Sequence, residues 1–155
     1  MARILDLLRS GDEPQHDRRV FLAAQLAFWL LGATDGHAKN FSLFLRSGGR
    51  FRMTPLYDVM SAQPSVDRGE IRLNQMKLAM AVGRSRHYVV GTMTPRHFRE
   101  TAAPAGMPAV EAEATIEGVE ARLPAAIDEL GKLEGVPAEL ADSIGRGVEA
   151  RARLL

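Results

Sequence analysis

Apolar residues recur at helical spacing from about Asp17 to Ala33: Val20, Phe21, Ala24, Ala27, Phe28 and Leu31 form one stripe, which Leu26, Trp29 and Leu30 widen. A stripe that wide predicts a central helix buried over most of its surface. Thr34-Asp35-Gly36 breaks the pattern, so Asp35 falls in a loop at the C-terminal end of that helix. The period then changes. Asn40 to Leu45 alternates and is rich in aromatic and branched side chains, Ser47-Gly48-Gly49-Arg50 supplies a turn, and Phe51-Arg52-Met53 a return strand. Out and back along this β-hairpin returns Asp58 to the end where Asn40 starts, so the two can face one another.

Elsewhere the pattern is mainly helical. Ile4 to Arg9 reads as a short helix stopped by Gly11-Asp12-Glu13-Pro14, and Thr94-Pro95 as the N-cap and first residue of a helix to Ala102. Pro108 to Leu123, Pro124 to Leu133 and Pro137 to Leu154 read as amphipathic helices. Residues 59 to 70 read as an irregular loop, and Glu70 to Met80 fits either a short strand or a helix start. The expected fold class is mainly α with a small β-hairpin, in a single domain: residues 1–80 hold the loop and hairpin, and residues 81–155 a helical bundle.

Composition narrows the options. The chain has 155 residues, 46% of them hydrophobic, enough for one sizeable core. With no Cys, disulfides and thiolate metal sites are excluded. The longest apolar run, Leu26 to Ala33, is far shorter than the roughly 20 residues of a membrane span, and the first residues lack a signal-like block. The expectation is a soluble, cytoplasmic protein with no membrane partner. Charge is uneven: residues 1–100 carry 15 Lys or Arg against 9 Asp or Glu, and residues 101–155 carry 5 against 10. An anionic ligand on the basic part and a solvated acidic face on the other would account for this, as would ordinary surface charge.

The two polar breaks, Thr34-Asp35-Gly36-His37-Ala38-Lys39-Asn40 and Thr54-Pro55-Leu56-Tyr57-Asp58, hold the chemistry. Phosphoryl transfer from ATP asks for a carboxylate to deprotonate the acceptor hydroxyl and for oxygen ligands to Mg²⁺. In protein kinases the base Asp and a metal-binding Asn have four residues between them, and a second metal-binding Asp follows a hairpin. Asp35, Asn40 and Asp58 have that order and spacing. Asp and Asn also favour turns for backbone reasons alone. His37 reads as a phosphate-polarising group or a loop hydrogen-bonder, Lys39 as a phosphate contact or a solvated cation, and Tyr57 as a core ring or an orienter of Asp58. An unrelated Mg²⁺-dependent hydrolase using Asp35 and Asp58 is a further option.

Those two blocks, with Phe28-Trp29-Leu30-Leu31-Gly32-Ala33 before the first and Val59-Met60-Ser61-Ala62 after the second, resemble the C-terminal part of the HipA-type toxin kinases. Lys77-Leu78-Ala79-Met80, Asp17-Arg18-Arg19 and Pro95-Arg96-His97-Phe98 fit the same resemblance. It implies the C-terminal lobe of a protein-kinase-like fold and a Ser/Thr kinase of a toxin–antitoxin module. Its implied protein substrate is a tRNA-charging enzyme. By the same likeness a DNA-binding antitoxin is the partner, with DNA reached only through it. Asp35 matches the catalytic base, Asn40 and Asp58 the Mg²⁺ ligands, and His37, Lys39 and Tyr57 positions near ATP. The last 55 residues match less well.

Family members are several hundred residues long, and their phosphate-holding loop and strand Lys precede the region seen here. This chain has no Gly-rich phosphate loop and no Lys before Lys39. The expectation is therefore weak or no activity for the chain alone, with a separate N-terminal lobe polypeptide needed for the full nucleotide site. The alternative is a non-catalytic remnant that binds an antitoxin or other partner.

Overall fold

Pro14 opens the long helix α2 (Pro14–Leu31), where its missing N–H costs nothing. Gly32 closes it in the left-handed conformation, φ 64°, so that the amides of Gly32 and Ala33 turn back to the carbonyls of Trp29 and Phe28. The apolar residues between them fall in two clusters. Leu22, Leu26, Phe28, Trp29 and Leu30 enter the main core with Met76, Leu78, Val90, Met93, Phe98 and Ile116. Phe21 joins a smaller one with Leu5, Leu8, Met53 and Ala105. A helix serving two cores is buried almost all round, which is why its apolar stripe is so wide.

The computed structural model describes all of residues 1–155. Before α2 lies α1 (Ala2–Leu7); after it come the antiparallel strands β1 (Leu43–Leu45) and β2 (Phe51–Met53), then α3 (Gln63–Asp67). A second antiparallel pair follows, β3 (Lys77–Val82) and β4 (His87–Val89), and then α4 (Pro95–Ala102), α5 (Ala109–Glu120), α6 (Leu123–Leu130) and α7 (Ala138–Ala152). The fold is mostly helical, with two small two-stranded sheets. Both α5 and α7 pack on α2, and the main core draws on residues from Leu22 to Ile116. Trp29, fully buried, donates its indole N–H to the Val90 carbonyl at 3.0 Å and lies 5.6 Å from the Phe98 ring. No helix is long and apolar enough to cross a membrane.

Three segments depart from the expectations. The first hairpin starts at Leu43, because residues 38–40 coil into a 3₁₀ turn that carries the Asn40 side chain inward, away from any strand ladder. Residues 59–70 are not wholly irregular, since they hold the short helix α3, with Pro64 in its first turn. The ambiguous stretch to Met80 resolves into a 3₁₀ turn (Leu73–Gln75) followed by β3, whose partner β4 makes a second hairpin.

The first hairpin is fixed to α2 by a buried acid. Asp17 is 3% exposed, and its Oδ2 accepts the Met53 amide at 2.8 Å. The next residue, Arg18, donates to the Ala105 carbonyl at 2.8 Å and anchors the chain beyond α4. The first of these bonds places the end of β2, and hence the segment leading to Asp58, at a set height along α2.

Candidate functional site

The loop after α2 is built on an aromatic platform. Phe28 is buried, its ring 5.9 Å from that of Phe41, which in turn meets Phe21 edge-on at 4.9 Å. Gly36 lies directly on Phe28: a Cβ there would fall 2.2 Å from the ring's Cδ2. Only glycine lets the loop descend that far, and the descent defines the path from Asp35 to Asn40.

Within the loop, the Asp35 carbonyl accepts two hydrogen bonds, from the His37 amide at 2.7 Å and from Asn40 Nδ2 at 2.8 Å. Asn40 is 6% exposed. A carbonyl cannot donate, so the nitrogen of the Asn40 amide must be the atom facing it, and the amide oxygen points elsewhere. The Asp35 carboxylate is 62% exposed, and its Oδ1 lies 3.5 Å from His37 Nε2, an electrostatic contact too long for a good hydrogen bond. The Lys39 ammonium is exposed and has no acidic partner within ion-pair distance.

The hairpin brings the second polar block alongside. Thr54 N–H donates to the Ser42 carbonyl at 3.0 Å. Tyr57 then closes the gap, its hydroxyl 2.7 Å from Ser42 Oγ and donating to the Lys39 carbonyl at 3.2 Å. Tyr57 is thus an exposed clamp between the two blocks rather than a core ring. Asp58, next along, is exposed, makes no hydrogen bond or ion pair with its side chain, and holds φ at 55°. A non-glycine residue in the left-handed region stores strain of the kind that concentrates at functional positions, though Asp is among the residues that tolerate it best.

Beyond Asp58 the two blocks are joined again. Ser61 Oγ donates to the Leu31 carbonyl at 2.5 Å, and the Ala62 amide to the Gly32 carbonyl at 3.0 Å. Asp35 comes three residues after Gly32 and Asp58 three residues before Ser61. Each acid therefore sits a short step from a common seam. Ser61 gave no sign of this in the sequence, because a lone Ser in a loop has no periodic signature. Asp17 did give one: a charged residue on the apolar face of an amphipathic helix calls for a buried partner.

As a metal site the arrangement offers an amide oxygen and a free carboxylate, both hard donors of the type Mg²⁺ selects. No group of three or more His, Asp or Glu side chains is arranged to hold a metal ion. A cavity of about 640 Å³ lies beside β3 and β4, lined by Arg3, Arg84, Arg86, Tyr88 and neighbours and by none of the six candidate residues.

The structure is similar to that of HipA from Shewanella oneidensis MR-1, solved in complex with HipB and its operator DNA, with a TM-score of 0.77 at 22% identity. The likeness covers 98% of this chain and 34% of that one, so the chain spans about a third of the HipA length. Residues 1–127 match the family model described as the HipA-like C-terminal domain. That match takes in α1 to α5, both hairpins and every candidate residue from Asp35 to Asp58, and the chain accordingly belongs to the family of HipA-like C-terminal domains.

Proposed function

We propose that the chain is the catalytic-loop part of a HipA-like Ser/Thr protein kinase, transferring a phosphoryl group from Mg-ATP to a protein hydroxyl once a nucleotide-holding lobe completes the site. The observation that carries this reading is the Asn40 amide locked onto the Asp35 carbonyl, with Tyr57 clamping the following block to the same loop. A base and two metal ligands become useful together only when their separations are fixed before substrate arrives.

In this reading Asp35, exposed at the loop's tip, orients the acceptor hydroxyl and takes its proton as the oxygen attacks. His37 restrains the carboxylate from one side. Asn40 through its amide oxygen and Asp58 through its carboxylate hold Mg²⁺, which when bound neutralises charge on the phosphates. Lys39 stands free to meet a phosphate oxygen. The family likeness suggests a tRNA-charging enzyme as substrate and, as for the Shewanella HipA bound to HipB and DNA, a DNA-binding antitoxin as partner.

A covering lobe is supported by the site's rim. Leu45 is 80% exposed and Met60 67%, with Phe44, Leu56 and Val59 also open. Apolar side chains flanking both polar blocks are what a covering lobe would bury. The test is phosphoryl transfer and Mg-ATP calorimetry on the isolated chain: little transfer and no heat at millimolar nucleotide are expected. Robust transfer abolished by Asp35→Ala would overturn the incompleteness. The alternative, a non-catalytic binding remnant, would be favoured if a helix-turn-helix antitoxin bound the chain while every tested lobe failed to restore ATP binding.

A further inference from the structure

The C-terminal helix α7 lies beyond residue 127, where the family match ends, yet its most buried charge reaches the seam of the site. Arg151 is 7% exposed. Its Nε donates to the Leu30 carbonyl at 2.7 Å and its Nη1 to Gln63 Oε1 at 2.9 Å. Leu30 is in the last turn of α2, directly before the two carbonyls that Ser61 and Ala62 occupy. Gln63 follows those two residues, and its own amide donates to Ser61 Oγ at 3.1 Å. One guanidinium thus grips both edges of the seam from which Asp35 and Asp58 depart.

The grip is reinforced and tightly fitted. Gln63 Nε2 donates to Asp67 Oδ1 at 2.7 Å, and Asp67 Oδ2 accepts from Ser143 at 2.8 Å and Arg146 at 3.2 Å, both on α7. Gly147 leaves the space: a Cβ there would fall 2.6 Å from Arg151 Nη2 and 2.6 Å from Gln63 Oε1. No carboxylate lies within ion-pair distance of Arg151, and Nη2 is buried without a hydrogen-bond partner. Desolvation pushes the group down to about 10, which still leaves it charged at neutral pH. A hydrophobic residue would fill the same volume without that desolvation cost. What the cation supplies instead is direction, since its planar fork sets two acceptors on different segments at a fixed spacing.

We propose that Arg151 is a positioning residue, through which α7 sets the separation of the Asp35 and Asp58 blocks and so the metal affinity of the site. The proposal rests on the reading of Asn40 and Asp58 as metal ligands, and the test separates the two. In the full chain, Mn²⁺ serves as the probe. Paramagnetic broadening of the Asn40 side-chain amide and the Asp58 amide reports metal occupancy, and hydrogen exchange at Ala62, whose N–H spans the seam to Gly32, reports the seam itself. Arg151→Met is expected to weaken Mn²⁺ binding about tenfold and to speed Ala62 exchange about tenfold, with Leu78 and Ala81 of β3 unaffected.

Gln63→Met keeps the bond from Arg151 to the Leu30 carbonyl and cuts the link to the Asp58 side, together with the Gln63 bond to Asp67. It is expected to speed exchange at Ala62 while leaving Gly36 and Asn40 as in the wild type, and it serves if Arg151→Met is too unstable to study. Wild-type spectra with no broadening at Asn40 and Asp58 would defeat the metal-site reading. Broadening in the wild type with unchanged affinity and unchanged Ala62 exchange in the variants would overturn the positioning role. A purely structural Arg151 would lower the melting temperature and raise exchange everywhere without this local pattern.

Discussion

Replacing Gly36 by Ala puts one methyl group where the loop touches Phe28. The new carbon would sit 2.2 Å from Cδ2 and 2.5 Å from Cε2 of the ring, whereas carbon atoms at ordinary contact are about 3.5 to 4.0 Å apart. Something must move by about 1.3 Å or more to reach that lower limit. The ring cannot do so cheaply, being 2% exposed and backed by Phe41. The loop lifts instead. Lifting it breaks the bond from Asn40 Nδ2 to the Asp35 carbonyl and strands a buried amide, a cost of about 1–3 kcal/mol. Residual overpacking adds about 1 kcal/mol or more. A total of roughly 2–4 kcal/mol, at about 2–4 °C per kcal/mol for a chain of this size, lowers the melting temperature by roughly 5–15 °C. Calorimetry gives the shift, and the Asn40 side-chain amide resonances, followed by NMR, show where it originates. Adding Phe28→Leu, which opens space under the loop, should recover part of the loss. A melting temperature within about 1 °C of wild type and an unmoved Asn40 amide would show that the loop does not rest on Phe28 as described.

Two other outcomes follow from the structure. Burial first, and the His87 ring stacked at 3.9 Å second, hold His97 below its ordinary value of 6.5, and His97 Nδ1 accepts the Thr94 amide at 3.1 Å, which requires that nitrogen unprotonated. Its contribution is therefore complete above the unfolded value and is lost as pH falls through the depressed folded value. The wild type should lose more thermal stability between about pH 7 and pH 5 than His97→Gln, which keeps the cap but does not titrate; parallel losses would refute this. Asp58→Gly removes the carboxylate and relieves a left-handed residue worth about 1 kcal/mol of strain. Its melting temperature should hold or rise while Mn²⁺ broadening at Asn40 weakens, and a clear drop in stability would mean that Asp58 has a structural role that its missing contacts do not reveal.

Much of the fold could be read from period and punctuation. The stripe from Val20 to Leu31, closed by Gly32, marks α2 because burying apolar surface at helical spacing leaves few other solutions. The turn at Ser47–Arg50 marks the first hairpin for equally local reasons. The order of Asp35, Asn40 and Asp58 around that hairpin was legible too, and with it the prospect that the blocks meet. β3 and β4 were not legible, because an apolar run as short as Leu78 to Val82 suits helix and strand alike until a partner strand is present. Nor was the seam. Ser61, Ala62 and Arg151 are joined to the end of α2 by bonds to backbone carbonyls 30 or more residues away, and a carbonyl carries no residue identity for a pattern to detect. Local chemistry could assign Asp35, Asn40 and Asp58 their chemical types and their order. Their spacing is a long-range property, fixed where Phe28 supports Gly36, Asp17 holds Met53, and the Arg151 fork closes Leu30 onto Gln63.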